Sequence, residues 1–150
     1  MADSNTLVLE TSKGDVTITL RPDLAPNHVE RIKTLVGEGF YDGTVFHRVI
    51  DGFMAQGGDP TGTGTGGSKL PDLKAEFNDT KHVRGVCSMA RSMSPDSANS
   101  QFFICFGTAP WLDGQYTAWG EVTDGMDVVD QFAKGEPVRN PDQINTAKLA

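Results

Sequence analysis

Short apolar runs, each closed by a turn-forming residue, recur along the whole chain. Near its start, Leu7 and Leu9 alternate with Val8, and segment 16–20 alternates branched apolar side chains with threonine. The turn sequence Ser-Lys-Gly-Asp at 12–15 separates these two runs. A period of two places apolar side chains on one face of a strand. The chain is therefore predicted to open with a β-hairpin.

Further β-type runs follow, and helical patterns are few. The runs cover 45–50, 53–56, 83–90, 101–106, 117–122 and 144–149. Apolar residues at helical spacing follow Pro26 as far as Gly37, and recur in 126–133. A parallel α/β sheet would need a helix after almost every strand. The pattern instead favours a mainly β fold, a closed eight-stranded antiparallel β-barrel capped by two α-helices.

Length and cysteine pattern predict one domain over residues 1–150. A chain of 150 residues can bury about two thirds of its unfolded surface, so it needs neither disulfides nor metal to hold a core. Cys87 and Cys105 each lie in an apolar run and match neither a CxxC nor a zinc pattern. Both are predicted to be small buried core residues with free thiols.

The charge pattern argues against two classes of partner. The chain carries 13 Lys+Arg and 20 Asp+Glu, a formal net charge of −7, without a basic run that would capture a phosphate backbone. No stretch approaches the roughly 20 apolar residues that cross a bilayer, and residues 1–5 lack the basic start of a signal peptide. We expect a cytoplasmic monomer that binds neither nucleic acid nor membranes.

Two long connections, 57–73 and 89–99, are the expected places for a functional site, because long loops in compact domains tend to be functional. The glycine-rich part, 57–69, invites comparison with a phosphate-binding loop. In such a loop the lysine precedes the hydroxyl residue and a helix follows, whereas here Ser68 precedes Lys69 and the run ends in Leu-Pro. We predict a surface loop pressed against neighbouring backbone.

The histidines do not form a recognisable catalytic or metal motif. His28, His47 and His82 lack the spacing of zinc ligands, and no Gly-x-Ser-x-Gly elbow points to a serine hydrolase. His28 is expected to be solvated at the start of the first helix, and His82 to lie in a loop. No metal ion or cofactor is expected.

Segment 46–59 is the most informative stretch. It places Arg48, Phe53, Met54 and Gln56 on two predicted strands joined at a turn. Two interpretations are open at this point. Arg48 is either an edge-strand cation paired with a carboxylate while Phe53 and Met54 fill the core, or these side chains form a binding site around a fixed guanidinium.

Three ordered blocks of the sequence resemble the cyclophilin family of peptidyl-prolyl cis-trans isomerases. Segment 46–59 resembles the family's signature, 85–90 with 100–104 its second block, and the Trp-Leu-Asp-Gly of 111–114 its third. The resemblance runs from about residue 6 to 129 and is similar to compact bacterial members in Met-Ala-Arg at 89–91. It implies isomerisation of X-Pro bonds in peptides and in unfolded or folding proteins.

The resemblance also implies roles for single residues. Arg48 matches the family's catalytic arginine, with Gln56 beside it to orient it. The residues that match the proline pocket and peptide contacts are Phe53, Met54, Gln101, Phe103 and Leu112. Those that match the groove for the residue before proline are Ala90, Arg91 and Ser92. Trp111 matches the tryptophan associated with binding of cyclosporin-type cyclic peptides, which the resemblance therefore implies as further ligands.

Two positions depart from the family pattern. Arg91 stands where many members have asparagine, and Tyr116 stands where the best-known members carry histidine. Backbone hydrogen bonds at position 91 stay possible, and the pocket rim at 116 is expected to be aromatic and non-titrating.

The implied chemistry suits the residues present. Rotation about an X-Pro amide is slow because resonance is lost at the transition state, a barrier of roughly 18–20 kcal/mol. No bond is made or broken, and a hydrogen bond from Arg48 to the prolyl nitrogen would stabilise the twisted amide. The alternative is a proline-binding or chaperone module that keeps the pocket and contributes little rate.

Overall fold

The computed structural model describes residues 5–150, and its strands and helices follow the predicted order. Residues 1–4 of the predicted domain lie outside the described residues. The strands are β1 Thr6–Thr11, β2 Gly14–Leu20, β3 Arg48–Ile50, β4 Met54–Gly57, β5 Val86–Met89, β6 Phe102–Cys105, β7 Ala118–Asp124 and β8 Ile144–Leu149. The helices are α1 Pro26–Gly37 and α2 Met126–Val129, and a 3-10 turn covers Pro110–Leu112. The prediction of a mainly β fold with two helices is confirmed.

The eight strands form one curled sheet in the order β3-β4-β6-β5-β7-β2-β1-β8, with antiparallel neighbours throughout. The two outer strands, β3 and β8, are not paired with each other, but isolated bridges connect β3 and the start of β8 to neighbouring segments. Val49 and Gly135 exchange backbone hydrogen bonds of 2.9 and 2.8 Å, and the Ile144 amide donates to the Thr44 carbonyl at 2.8 Å. These bonds satisfy backbone groups that an open sheet edge would expose.

Alternation along the strands fills the interior of this sheet. Leu9, Val16 and Ile18 are at most 1% exposed, while their neighbours Val8, Glu10 and Thr17 are more exposed. Helix α1 contributes its apolar stripe, including Ile32 and Leu35, to the same core. Burying one such side chain contributes roughly 1.5–3 kcal/mol. The apolar faces of the strands, which repeat every two residues, and that of the helix, which repeats every 3.6 residues, thus pack in the same core.

Helix α2 is shorter than predicted. It ends at Val129 instead of continuing to residue 133, because the following amides turn tightly and Phe132 donates to the Val129 carbonyl at 3.1 Å. This turn brings the Phe132 ring into the core, where it stacks on Phe46 with centroids 4.5 Å apart. The apolar spacing reflected a buried aromatic residue after the helix, not further helical residues.

The prediction that His28 is solvated is wrong, since its side chain is fully buried. Helix α1 has Ala25 at its N-cap, which offers no side-chain acceptor for the first amides. Glu76 replaces the missing cap and accepts hydrogen bonds from the amides of Asn27 at 3.2 Å and His28 at 2.8 Å. The same carboxylate contacts the His28 imidazole at 2.6 Å, and burial lowers the pKa of that imidazole.

Both cysteines are buried and free, as predicted. Burial raises the pKa of Cys87 well above its ordinary value and that of Cys105 to about 12. Neither thiol therefore has the accessible thiolate that a nucleophile needs.

Candidate active site

The candidate site lies on the face of the sheet opposite the main core. The strand register aligns Arg48 with Gln56, Gln56 with Phe103, and Phe103 with Ser88 across β3, β4, β6 and β5. Because neighbours along a strand alternate faces, Phe102 joins the main core while Phe103 points the other way. Phe103 belongs to a second, smaller apolar cluster with Met54, Cys105, Ala109 and Leu112.

This second cluster supports a pocket of about 160 Å³. The pocket is lined by Arg48, Phe53, Met54, Gln56, Ala90, Arg91, Phe103, Leu112 and Tyr116. Nine of the twelve predicted site residues thus surround one cavity, in which the apolar side chains face the polar groups of Arg48, Gln56 and Arg91. Trp111 lies outside it at the rim, 63% exposed, with its ring centroid 5.7 Å from that of Phe53.

A larger groove of about 470 Å³ adjoins the pocket and shares Gln56, Ala90 and Arg91 with it. Ser92 and Gln101, the two remaining predicted site residues, line this groove. Its other wall comes from the glycine-rich loop at 64–68 and from Asp72. A peptide that extends from the pocket into the groove would therefore pass Arg91.

A chain of polar side chains orients Arg48. Its Nη1 donates to Gln56 Oε1 at 3.3 Å, and its Nε donates to Glu136 Oε2 at 3.5 Å. Gln56 Nε2 in turn donates to Gln101 Oε1 at 3.0 Å. The sequence left two interpretations of Arg48 open, a cation paired with a carboxylate or a member of a binding site. The structure shows features of both, since Arg48 pairs with Glu136 and also lines the pocket. Glu136 was not predicted, and at 88 residues' separation no local pattern points to it.

The glycine-rich loop holds Gln101, the last of these hydrogen-bonded side chains. Gln101 Nε2 donates to the carbonyls of Gly64 at 3.1 Å and Gly66 at 2.9 Å. The loop itself is organised by the fully buried Asp59, which accepts hydrogen bonds from the amides of Thr61, Thr63 and Gly64 at 2.8, 3.1 and 2.5 Å. Burial alone would raise the pKa of Asp59, but these donors outweigh it and lower the pKa.

The loop's contacts fit the predicted close packing better than an anion cradle. A Cβ at Gly58 would lie 2.6 Å from the Ser100 carbonyl, and one at Gly66 would lie 2.3 Å from Asp59 Oδ1. The backbone amides that would bind a phosphate in such a loop already donate to the Asp59 carboxylate. The anion that organises this loop is therefore the side chain of Asp59.

A buried polar group lies behind Phe103. His82 Nδ1 is 3.0 Å from Asp113 Oδ1, His82 Nε2 is 3.0 Å from Ser88 Oγ, and the imidazole stacks on Phe103. The amide of His82 is the main cause of the lowered pKa of Asp113. Ser88 is fully buried, so no substrate reaches it and the group supports the pocket instead of acting as a triad. His82 does lie in a loop, as predicted, but its side chain is buried while its neighbours Lys81 and Val83 are exposed.

The two departures from the family pattern contact each other. The Arg91 guanidinium carbon lies 4.6 Å from the centroid of the Tyr116 ring. Arg91 Nε and Nη2 donate to the carbonyl of Gln115 at 3.0 and 2.8 Å. Together they form the wall that separates pocket from groove.

Two further observations concern residues 5–150. In this range no group of three or more histidine, cysteine, aspartate or glutamate side chains is placed to hold a metal ion. Nor does any of its helices have the length and apolar character needed to cross a membrane.

Comparison with known proteins places this geometry in a family. The family model described as cyclophilin type peptidyl-prolyl cis-trans isomerase/CLD matches residues 6–149. A probable peptidyl-prolyl cis-trans isomerase of Brucella suis biovar 1 is 52% identical over 161 aligned positions, covering 97% of this chain and 82% of that protein. The crystal structure of a cyclophilin from Hirschia baltica is 33% identical with a TM-score of 0.90, covering 97% of this chain and 74% of that one.

A third comparison is with a crystal structure determined in the presence of a dipeptide. A cyclophilin type peptidyl-prolyl cis-trans isomerase of Cryptosporidium parvum, crystallised in the presence of the dipeptide Ala-Pro, is 30% identical. Its TM-score is 0.90, and the match covers 97% of this chain and 98% of that one. The fold, the match over residues 6–149 and these relatives agree: this chain belongs to the cyclophilin-type peptidyl-prolyl cis-trans isomerase family.

Proposed function

We propose that this isomerase holds the proline ring of its substrate in the apolar pocket and uses Arg48 to stabilise the twisted X-Pro amide. One observation carries the proposal. Arg48 is fixed at Nε by Glu136 and at Nη1 by Gln56, while its Nη2 has no hydrogen-bond partner among residues 5–150. The guanidinium thus presents an oriented donor at the mouth of a pocket that fits an apolar ring.

The pocket supplies the fixed side of the rotating bond. Met54, Phe103 and Leu112 are between 2% and 6% exposed, so the ring enters a site that is already packed. Holding one side of the amide while the other turns reduces the freedom that the transition state must lose. The groove next to the pocket gives the rotating peptide segment room to move.

Arg48 acts on the amide electronically. As the bond twists, the prolyl nitrogen recovers its lone pair and becomes a hydrogen-bond acceptor. A donor placed for that nitrogen stabilises the twisted state more than the planar one, which is the requirement for catalysis. Gln56 and Gln101 keep the donor in place, and a lysine could not reproduce the planar fork that they hold.

Substrates, compartment and assembly are part of the proposal. The Cryptosporidium parvum relative, crystallised with Ala-Pro, supports proline-containing peptides as ligands. We extend this to exposed X-Pro bonds in unfolded and folding proteins, and through Trp111 to cyclosporin-type cyclic peptides. The two free buried thiols are consistent with a reducing compartment, which supports a cytoplasmic location. We propose a monomer as the working form.

The test is the proline-limited refolding of a model protein, with exchange NMR on a neutral X-Pro peptide as a second assay. We expect acceleration at micromolar protein. Arg48→Ala and Arg48→Lys should each lower kcat/KM at least tenfold, about 1.4 kcal/mol of transition-state stabilisation, without loss of folded structure.

Arg21→Ala is the matched control. Arg21 also pairs with carboxylates, those of Asp23 and Glu121, but it lines neither cavity, so its variant should keep the parent's rate. If the parent binds Ala-Pro in an NMR titration but accelerates neither reaction, the chain is a proline-binding module. Equal turnover in the parent and Arg48→Ala would remove Arg48 from the mechanism.

A further inference from the structure

We infer that Arg91, held against Tyr116, makes this isomerase prefer substrates in which the residue directly before proline is acidic. The inference rests on the proposed function, because it takes the apolar pocket as the proline site. It adds a specificity-determining residue to that function.

The side chain of Arg91 is immobilised. Its Nε and Nη2 share the Gln115 carbonyl, and its Nη1 donates to the Ser92 carbonyl at 3.0 Å. The planar group also lies over the Tyr116 ring, a cation–π contact that contributes roughly 0.5–1 kcal/mol at an exposed site. An arginine tied at three nitrogens presents its charge at one place.

The positive charge of Arg91 is not neutralised by a neighbouring carboxylate. All the acceptors of Arg91 are backbone carbonyls, and among residues 5–150 no carboxylate lies within 4 Å of it. The pocket's other cation, Arg48, has Glu136 beside it. Guanidinium groups keep their charge at any working pH. The pocket therefore carries a net positive charge whose uncompensated part is at Arg91.

A substrate would meet the charge of Arg91 where the pocket and the groove adjoin. Arg91 lines both the pocket and the groove, so it borders the point where the peptide passes between them. Asp72 lines the groove but not the pocket, and its carboxylate accepts a hydrogen bond from Asn99 Nδ2 at 3.1 Å. Arg91 thus attracts an acidic side chain where pocket and groove adjoin, while Asp72 repels one within the groove.

Tyr116 fits this arrangement better than a histidine would. It packs edge-on against Phe103, with centroids 5.6 Å apart, and so connects Arg91 to the wall of the proline pocket. A histidine in its place would repel the guanidinium whenever it became protonated. The two departures from the family pattern are therefore complementary to each other.

The experiment measures kcat/KM by exchange NMR on three peptides, Ala-Xaa-Pro-Phe with blocked ends and Xaa as Glu, Gln or Lys. Exposed pairs contribute roughly 0.2–1 kcal/mol each, so the parent should prefer Glu over Lys by up to about tenfold at low salt. Screening should reduce the ratio to below about threefold in 0.5 M salt. Ratios are compared because Arg91 lines the binding site and its variants change absolute rates as well.

Three variants separate the causes. Arg91→Asn should bring the Glu/Lys ratio close to one, while Arg91→Lys, which keeps the charge, should retain most of it. Lys148→Asn changes the net charge by the same amount, but Lys148 on β8 pairs with Glu10 on β1 and lines neither cavity, so the ratio of this variant should equal the parent's.

A parent ratio near one, or a ratio unchanged in Arg91→Asn, would overturn the inference. A ratio lost equally in Arg91→Lys or in Lys148→Asn would overturn its electrostatic basis at this site. Failure of the proposed function looks different, because the parent would then not turn over even the Gln peptide.

Discussion

Replacing Asp59 by asparagine should destabilise the fold and disturb the position of Arg48, the proposed catalytic residue, although Asp59 lines neither cavity. One carboxylate oxygen accepts from the amide of Thr61, and the other from the amides of Thr63 and Gly64. An asparagine has only one oxygen, so at least one of these amides, all of which point at the buried side chain of residue 59, loses its acceptor in either orientation of that side chain. One unsatisfied group costs about 1–3 kcal/mol, and the remaining bonds lose their charge assistance.

We therefore expect Asp59→Asn to lower the free energy of unfolding by about 2–4 kcal/mol. With a urea dependence of roughly 2 kcal/mol per molar, the midpoint of urea unfolding should fall by about 1–2 M. The protein stays folded in buffer if its stability is typical, about 5–15 kcal/mol. Because the loop holds Gln101 through two carbonyls, kcat/KM should also fall by roughly three- to tenfold.

The pH dependence of this difference has a defined sign. Asp59 has a lowered pKa in the folded protein, so the stabilisation from its charged form is complete above the ordinary aspartate value of about 3.9. It is lost as the pH falls through the lower folded value. The stability difference between the parent and Asp59→Asn should therefore be largest near pH 7 and shrink below about pH 4.

Asp142→Asn is the matched control. Asp142 is also buried and accepts from Lys13, Ser12 and the amide of Ala133, but it does not contact the glycine-rich loop. It should lose comparable stability and keep kcat/KM. If Asp59→Asn keeps the parent's kcat/KM, the connection from loop to arginine is refuted, and if its unfolding midpoint is unchanged, the role of the carboxylate is refuted.

Two other predictions concern the helix and the reaction. Glu76→Ala removes the acceptor for the first amides of α1 and should cost about 1–2 kcal/mol, a decrease in Tm of roughly 2–8 °C by calorimetry. Glu76→Gln, which keeps an acceptor oxygen, should lose less, and equal losses would contradict the capping role. The rate on a neutral peptide should be nearly constant between pH 6 and 8, since the mechanism uses no group that gains or loses a proton. A bell-shaped profile for that peptide would count against Arg48 as the catalytic group.

Local patterns predicted the elements well where one period dominated. The alternation in 16–20 and the spacing of Ile32 and Leu35 fixed a strand and a helix, because each depends on neighbours within a few residues. The same reasoning failed at the end of α2, where Phe132 suits a helix by spacing but is drawn into the core by Phe46. It also failed at His28, whose environment is set by a carboxylate 48 residues away.

The candidate site shows the same division. Its residue types were readable from the motif blocks, since pocket-forming aromatics, amides and an arginine recur there in order. The motif blocks could not predict which of these side chains contact each other. The pocket depends on the register of β3, β4 and β6 and on the 3-10 turn that brings in Leu112. Glu136, which holds Arg48 from 88 residues away, had no sequence signal at all.

The sequence by itself determined that this chain is a mainly β protein with the residues of an X-Pro isomerase, including an arginine at 91 and a tyrosine at 116. Only the tertiary structure decided that these two side chains contact each other and that no carboxylate between residues 5 and 150 pairs with Arg91. Periodicity and motif order are encoded by adjacent residues. Contacts between distant segments arise only when the sheet curls and its loops pack, so they determine where charge is placed around the pocket.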